Sequence, residues 1–351
     1  MRGASQALHR PAGLRDPAGV ARACGPIQAQ DPRAARLAFR ARARGLTAAD
    51  VDRARTEERS LFRAWVMRKT VHLIPTEDAG WMVPLFAEPT TRWSRRRLAH
   101  FGLDRDGQDR ALALMHEFVD RDGPLTRPEI SERLRAAGFE LTDQIKAHLW
   151  FLATLDGELC LGPDRGAQTC LVRRSDWIGG FEQRPREQAL AELARRYFNA
   201  YAPASERDFA RWSRLPLGDA RKGVEGIARE LTEVRVGGEV LLRPKRMKRA
   251  GSGPVVRLLG AFDNYNLGYE RRDFHLPAEH VKQVVPGGGI VRPVITVDGK
   301  IVGTWSSKRS GKRLAVTLEP FTELDRELED ALAEEVADIG RFEGLEAAIT
   351  G

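Results

Sequence analysis

The fold is decided by GQDRALALMHEFVDRDG (107–123) and the segment that follows it, LTRPEISERLRAAGF (125–139). The first segment is amphipathic and reaches a glycine, which is typical of a helix and its end. In the second segment Thr126 precedes Glu129 by three residues, with a proline between them. That spacing is a capping box, and it predicts the start of a short helix.

The next residues complete a recognisable unit. LTDQIKAHLWFLATLDGEL (141–159) has apolar residues at helical spacing after the capping candidate Thr142. ELCLGPDRGAQTCLVRR (158–174) contains two strand-like runs around a Gly/Pro/Asp turn. A helix, a short helix, a longer helix and a hairpin in this order predict a winged helix-turn-helix.

The same order returns twice. In 186–243 a helix is followed by Ser205, which caps the next helix with Asp208 at the reciprocal position, and the unit ends in a hairpin. A more degenerate copy spans about 15–75, where Asp31 caps a helix that begins with a proline. The sequence therefore predicts repeated winged-helix units.

Two further regions complete the chain. Residues 76–100 are predicted to be helical, with a break at Pro89. After about residue 250 the segments become strand-like, and Asp298-Gly299 is a hairpin turn signal. Residues 322–339 are predicted to form a final acidic amphipathic helix.

The predicted fold class is α+β, with tandem winged-helix motifs around a C-terminal β-rich module. The expected divisions are 1–102 (winged-helix unit 1 with the Gln-x-Gln motif and extra helices), 103–180 (unit 2), 181–250 (unit 3) and 251–351 (β-rich module with the terminal helix).

Composition excludes several classes of protein. The chain of 351 residues is 42% hydrophobic, which is ordinary for a globular protein and argues against disorder throughout. No apolar run has the length of a membrane span, and the first residues lack the apolar core of a secretory signal. Three scattered cysteines, Cys24, Cys160 and Cys170, are too few for a disulfide framework or a zinc site. We expect a cytoplasmic protein with reduced cysteines, no metal and no cofactor.

The net charge of +8 points to a polyanionic partner, and the placement of the cations matters more than their number. Arg33, Arg36, Arg40 and Arg44 recur at helical spacing, so they form one stripe that either faces DNA or is neutralised by acidic neighbours. Winged helices also serve as protein-interaction modules, but the pattern together with the charge favours DNA. The candidate DNA contacts are Arg33, Arg40, Arg68, Lys69, Thr70, His72, Arg95, Arg96, Lys308, Arg309, Lys312 and Arg313.

Gln28 and Gln30, in PIQAQDP, stand just before a capped helix. Alternate residues of an extended segment share a side, so both carboxamides are expected to face the same way. A carboxamide offers donors and an acceptor, and it does not titrate near neutrality. Spacing alone leaves two interpretations open: capping or solvation of the loop, and the orienting of a water molecule.

A polar-aromatic cluster lies in LLGAFDNYNLGYERR (258–272), where Asp263, Asn264, Tyr265 and Asn266 are consecutive. One interpretation is a strand end that turns through Gly268. The other is a shelf that supports DNA or the loop with the glutamines.

Together these segments resemble a known family, the winged-helix crosslink-repair DNA glycosylases of the AlkZ and YcaQ type. The resemblance covers about 18–342. The matching segments are GPIQAQDPRAARLAFRAR (25–42), RAWVMRKTVHLIPTED (63–78), LCLGPDRGAQTCLV (159–172), ALAELARRYFNAYAPASERDFARWSRLPL (189–217), LLGAFDNYNLGYERR (258–272) and VITVDGKIVGTW (294–305).

The resemblance implies tandem winged helices and a metal-free, monofunctional glycosylase for N7-alkylated purines, including interstrand crosslinks. Gln28 and Gln30 match the catalytic Gln-x-Gln motif, similar to the azinomycin-resistance branch, which implies self-resistance to a DNA-alkylating natural product. Lys69 stands where a glycine is usual in the family.

The implied activity fits the residues. An N7-alkylguanine is cationic and already a good leaving group, so the enzyme needs chiefly a positioned water and stabilisation of the sugar cation. We hypothesise that Gln28 and Gln30 bracket that water, and we expect a monomer acting on double-stranded DNA with alkylated or crosslinked purines. The alternatives are a non-catalytic DNA binder, such as a transcription regulator or a lesion-sequestering protein, and a protein-interaction scaffold.

Overall fold

A computed structural model describes residues 6–11, 13–180, 182–246 and 254–350 and shows a mixed α+β protein. Its helices are α1 (Pro17–Cys24), α2 (Pro32–Arg40), α3 (Ala48–Thr56), α4 (Ala79–His100), α5 (Arg105–Asp122), α6 (Arg127–Ala136), α7 (Asp143–Ala153), α8 (Arg174–Ile178), α9 (Arg186–Tyr201), α10 (Glu206–Ser213), α11 (Leu217–Glu225), α12 (Asn264–Leu267), α13 (Val281–Val284) and α14 (Arg326–Glu343). Its strands are β1 (Ile27–Gln28), β2 (Leu61–Trp65), β3 (Val71–Pro75), β4 (Leu125–Thr126), β5 (Leu159–Arg165), β6 (Gln168–Arg173), β7 (Leu231–Val236), β8 (Glu239–Pro244), β9 (Val256–Leu259), β10 (Val294–Val297), β11 (Lys300–Ser310), β12 (Arg313–Pro320) and β13 (Glu346–Ile349). Of the helices described, none has the length and apolar composition needed to cross a membrane.

One six-stranded sheet joins the first half of the chain, in the order β1-β3-β2-β5-β6-β4. The hairpins β2–β3 and β5–β6 meet where Arg63 of β2 lies opposite Leu161 of β5. The two-residue strands β1 and β4 occupy the two edges of this sheet. The segments before and after α4 are therefore held in one rigid sheet rather than joined by a flexible linker.

The same order of elements occurs three times. A helix is followed by a short strand, two helices and a hairpin, and the short strand pairs with the second hairpin strand, as β1 does with β3 and β4 with β6. In the third copy, helices α9, α10 and α11 precede the separate two-stranded sheet β7–β8. There Ala204 supplies an isolated bridge to Leu242 in place of the short strand.

The predicted helix starts are confirmed by their hydrogen bonds. The Thr126 amide donates to Oε2 of Glu129 at 2.7 Å, which completes the capping box before α6. Ser205 and Asp208 form the reciprocal pair at the start of α10. Asp31 accepts from two backbone amides at the start of α2. These contacts lie within three residues of one another, which is why the sequence alone could predict them.

The predicted break at Pro89 is wrong, since α4 continues through both Pro84 and Pro89. Each proline removes one helical hydrogen bond, and packing offsets that loss. Trp81 and Phe86 of α4 lie in the largest apolar cluster of the described residues, against α9 and α10.

The C-terminal sheet has the order β13-β12-β11-β10-β9, and α14 packs on it. The Asp298-Gly299 turn joins β10 to β11 as predicted, with positive φ at both residues. The final helix is Arg326–Glu343 rather than 322–339, because Asp325 caps it. After the helix the chain adds β13, parallel to β12, which the sequence analysis did not anticipate.

The arginine stripe of α2 faces acidic side chains rather than an open surface. Arg40 is 0% exposed; its guanidinium donates to Glu335 and Asp338 of α14, both at 3.0 Å, and to the carbonyl of Leu258. Arg33 forms a bidentate pair with Glu343. The prediction that Arg40 contacts DNA is wrong, because its side chain is enclosed between α2, β9 and α14.

Glu335 is the centre of this ionic cluster. Burial alone would raise the pKa of its carboxyl, but Arg40, Arg10 and Arg257 outweigh burial and hold the pKa below its usual value. The carboxylate therefore stays negatively charged in the folded protein, and the three arginines provide the positive charge that balances it.

Replacing Arg40 by alanine is expected to lower the free energy of unfolding by about 3 kcal/mol, because it leaves the buried Glu335 carboxylate without one of its arginine partners. Urea unfolding followed by circular dichroism at neutral pH measures the change. The matched control is Arg44→Ala, an exposed position just past the same helix, which should cost less than about 0.5 kcal/mol. Equal losses in the two variants would contradict the assignment.

Candidate active site

The two glutamines meet at the end of β1. Gln28 lies opposite His72 of β3, and the Gln28 Nε2 donates to Oε1 of Gln30 at 3.2 Å. The Gln28 side chain is buried, at 9% exposure, whereas Gln30 is exposed. Ile27, the residue on the other side of the strand, packs in the apolar core beneath α1 and α2. The alternation of an extended segment thus places one residue in the core and both carboxamides together.

The loop before β1 is held by distant parts of the chain. Gly25 has φ of +83°, and a Cβ there would approach the Trp212 ring to 3.2 Å, so only glycine fits without movement. Asn264 Nδ2 donates to the carbonyl of Cys24 at 3.0 Å and to that of Pro26 at 3.1 Å. These bonds satisfy carbonyls at the end of α1 and fix the entry to β1.

The cluster around Asp263 forms the short helix α12 rather than a strand end. Asp263 pairs with Arg42 through two bonds of 2.7 and 2.8 Å, and both side chains are fully buried. This pair anchors α12 to the end of α2, so Asn264 reaches the loop from a fixed position. The interpretation of a shelf that supports the glutamine loop fits this geometry.

Arg68 connects the glutamines to two other parts of the structure. Its Nη2 donates to Oε1 of Gln28 at 3.2 Å and lies 3.0 Å from Nε2 of His72. Its Nη1 donates to the backbone carbonyl of Trp212 at 2.8 Å. Arg68 and Lys69 both have φ near +56°, the left-handed region in which glycine is least strained. A glycine preference at position 69 in the resembled family is consistent with that backbone.

Burial controls the protonation of this group. The pKa of His72 is held well below its usual value by burial and by the neighbouring Arg68, so the ring is neutral at pH 7. Burial, together with Arg214 and Arg211, lowers the pKa of Arg68 to about 10, which leaves the guanidinium charged. The prediction that His72 contacts DNA is wrong, because the side chain is 0% exposed.

A cationic cleft of about 1000 Å³ opens beside Arg68, between α4 and the helices α10 and α11. Seven cationic and three acidic side chains line it. Arg207, Arg211 and Arg214 contribute from α10 and the residue that ends it, and all three are exposed. Such an excess of one sign favours an anionic ligand.

Arg207, Arg211 and Arg214 were not among the DNA contacts predicted from the sequence. Arg207 and Arg211 are four residues apart and share one face of α10, opposite the buried Phe209 and Trp212, so their spacing was a usable signal. No local pattern of residues indicates the bonds from Arg68 to Gln28 and to the carbonyl of Trp212.

The remaining candidate contacts fall into three groups. Lys69 and Arg96 are exposed, with the Lys69 ammonium 4.1 Å from the Trp93 ring centre, and Thr70 is half-buried. Arg95 pairs with Asp109 at 2.7 Å, so its guanidinium, like that of Arg33, already has an acidic partner. The exposed tip of the β11–β12 hairpin carries Lys308, Arg309, Lys312 and Arg313.

Within the described residues, no group of three or more His, Cys, Asp or Glu side chains is arranged to hold a metal ion. Cys24, Cys160 and Cys170 are buried free thiols. The pKa of Cys24 and that of Cys160 are raised by burial, so neither is a thiolate at neutral pH.

Comparison with known proteins covers nearly the whole chain. The family described as DNA glycosylase AlkZ-like matches residues 21–342. An interstrand DNA cross-link repair glycosylase from Streptomyces sahachiroi is 30% identical over 348 residues, covering 93% of this chain and 90% of the relative. The solved structure of Streptomyces sahachiroi DNA glycosylase AlkZ is similar with a TM-score of 0.78 and 26% identity, covering 99% of this chain and 96% of that one. Since the family match includes the segment with both carboxamides and extends into α14, the chain belongs to the AlkZ-like DNA glycosylases.

Proposed function

We propose that the protein hydrolyses the N-glycosidic bond of N7-alkylated purines in double-stranded DNA, and that Gln28 and Gln30 orient the attacking water. The observation that carries this proposal is the carboxamide pair itself, with one group buried, the other exposed and the two 3.2 Å apart. Arg68, which donates to Gln28, lines the cationic cleft. A loop-capping role does not require the two side chains to meet.

The reaction needs little from the protein beyond the positioning of the attacking water against the sugar. Water oxygen attacks the anomeric carbon, and the electrons of the breaking C–N bond neutralise the cationic purine as it leaves. The water proton passes to solvent. Neutral carboxamides cannot act as strong bases, but their oxygens can accept the hydrogens of the water and hold its lone pair toward the sugar.

Interstrand crosslinks are a proposed substrate because the relative from Streptomyces sahachiroi is named for their repair. A crosslinked base is tethered to the opposite strand and cannot turn freely into a closed pocket. An open cleft lined by Arg68, the residue that donates to Gln28, suits such a lesion better than an enclosed cavity would. A self-resistance role, a monomeric state and a cytoplasmic location stay predictions.

We also propose that the three repeated units are winged helices with the divisions 1–102, 103–180 and 181–250, followed by a β-rich module at 251–351. The shared order of elements supports this, as does the pairing of the short strand with the second hairpin strand. Residues 247–253, which contain the last division, lie outside the described part of the chain.

DNA binding is proposed for two surfaces, the cationic cleft and the tip of the β11–β12 hairpin. Each presents several exposed cations, and phosphate contacts dominate the affinity of most DNA-binding proteins. A non-catalytic DNA binder would share these surfaces and would differ only in forming no abasic product.

Gln30→Ala is expected to slow excision of 7-methylguanine about 100-fold or more under single-turnover conditions, because the water loses one of its two acceptors. Alkaline cleavage of the abasic product measures the rate, and DNA affinity should change less than about twofold. Gln168→Ala, at the exposed first residue of β6, is the matched control. A Gln30→Ala enzyme as fast as the parent would rule out the assignment.

The excision rate is expected to vary less than about twofold between pH 6 and pH 8. The carboxamides do not titrate, and the pKa of Arg68, at about 10, lies above this range. Burial and the neighbouring Arg68 hold the pKa of His72 well below its usual value. The measurement is a single-turnover series at constant ionic strength. A rate that falls tenfold below about pH 6.5 would indicate a basic catalytic group instead.

Arg211→Ala and Lys312→Ala are each expected to weaken DNA binding and to reduce the slope of log K against log salt by about 0.9, as loss of one phosphate contact requires. Fluorescence anisotropy between about 50 and 200 mM salt measures both quantities. Arg326→Ala is the control, since this exposed arginine lies beside the acidic first turn of α14. An unchanged slope in either variant would remove that residue from the DNA interface.

A further inference from the structure

We propose that Arg68 is a positioning residue that fixes which way the Gln28 carboxamide faces, an inference that rests on the proposed function of the glutamine pair. Arg68 was expected from the sequence to contact DNA. Its two Nη atoms are instead engaged within the protein, by Gln28 Oε1, His72 Nε2 and the carbonyl of Trp212. Its role is to hold the water-orienting group rather than a phosphate.

The protonation of the His72 ring determines which atoms donate and which accept in this group of hydrogen bonds. Nδ1 of His72 lies 2.9 Å from the backbone oxygen of Thr70, and only a protonated nitrogen can donate to that oxygen. In a neutral ring Nε2 is then bare, and it accepts from Nη2 of Arg68 at 3.0 Å. The buried histidine thus gives Arg68 a fixed acceptor.

The same logic sets the orientation of Gln28. A guanidinium has donors and no acceptor, so the Gln28 atom that faces Arg68 must be Oε1. The Gln28 Nε2 therefore faces Oε1 of Gln30, at 3.2 Å. If the Gln28 carboxamide were rotated by 180°, its NH₂ group would face the N–H groups of Arg68, and neither could accept. Its oxygen would face Oε1 of Gln30, and no hydrogen would lie between the two oxygens.

This orientation decides what the pair can offer to water. Each Oε1 uses one lone pair within the protein, for Arg68 in the case of Gln28 and for Gln28 in the case of Gln30. Each keeps a second lone pair, so a water can donate one hydrogen to each oxygen. The lone pair of that water then remains for the anomeric carbon.

The bond to Trp212 connects the third unit to this arrangement. Trp212 is 1% exposed, and its indole Nε1 donates to the hydroxyl of Tyr201 at 3.1 Å. The backbone carbonyl that accepts from Arg68 is therefore fixed by the aromatic core of α9 and α10. Arg68 is thus held between β1 and the third unit by its bonds to Gln28 and to the carbonyl of Trp212.

The test replaces Arg68 by methionine and by lysine and measures excision and binding separately. Arg68→Met is expected to lower the single-turnover rate about 100-fold while affinity changes less than about twofold, because misplacing a reacting group by about an ångström has effects of this size. Arg68→Lys keeps the charge but cannot form the same fork of bonds, and it should lose about tenfold or more. The lysine variant carries the test if the methionine variant fails to fold.

A double-mutant cycle with Gln28→Ala distinguishes positioning from general damage. If Arg68 acts through Gln28, the double variant should be no slower than Gln28→Ala alone, whereas independent effects would multiply. The salt slope should stay at the parental value in Arg68→Met, since a lost phosphate contact would lower it by about 0.9.

The outcomes separate this inference from the proposed function. A parent enzyme that releases no base from alkylated DNA would overturn the proposed function and this inference with it. An active parent with an Arg68→Met variant of parental rate would overturn only the positioning role. So would multiplicative losses in the cycle, or a reduced salt slope.

Discussion

The pairing of β1 with β3 is the constraint on which the site depends. Ile27 and Gln28 lie opposite Leu73 and His72, and the Ala29 amide donates to the carbonyl of Val71 at 2.8 Å. Because side chains alternate along a strand, burial of Ile27 in the core obliges Gln28 to face the other way. A shift of one residue would bury the carboxamide among apolar side chains, where an unsatisfied amide is costly. Burial of Ile27 in the apolar core thus determines the register of β1, and with it the side of the strand on which Gln28 lies.

Two buried ion pairs hold this strand in place relative to the rest of the molecule. Arg42–Asp263 fixes α12, from which Asn264 reaches the loop before β1. Arg40 and its acidic partners fix the other side of α2 against α14. Such pairs add little net stability compared with apolar residues, but an incorrectly docked helix would leave a buried charge unpaired. They therefore select one arrangement of α2, the helix that follows the glutamines.

Features that depend on residues close together in the chain were predicted correctly from the sequence. Features that depend on contacts between distant residues were not. The helix starts at Thr126 and Ser205 and the turn at Asp298 follow from short-range hydrogen bonds and backbone preference. The role of Arg40 depends on Glu335, 295 residues away, so the cations of α2 resembled a DNA-binding stripe. The Arg68 contacts depend on a left-handed turn in which a lysine replaces the glycine that would have indicated it.

Electrostatics explains why uncharged side chains suit this position. At an effective dielectric of about 20, a cation about 8 Å from the sugar would oppose its developing positive charge by about 2 kcal/mol. Bound phosphates reverse that effect, so the cationic cleft can favour the reaction only when DNA fills it. A carboxylate in place of Gln28 would lie within about 3 Å of Arg68 and form a salt bridge. It would have no N–H to donate to Oε1 of Gln30, whereas the carboxamide accepts from Arg68 and donates to Gln30 at the same time.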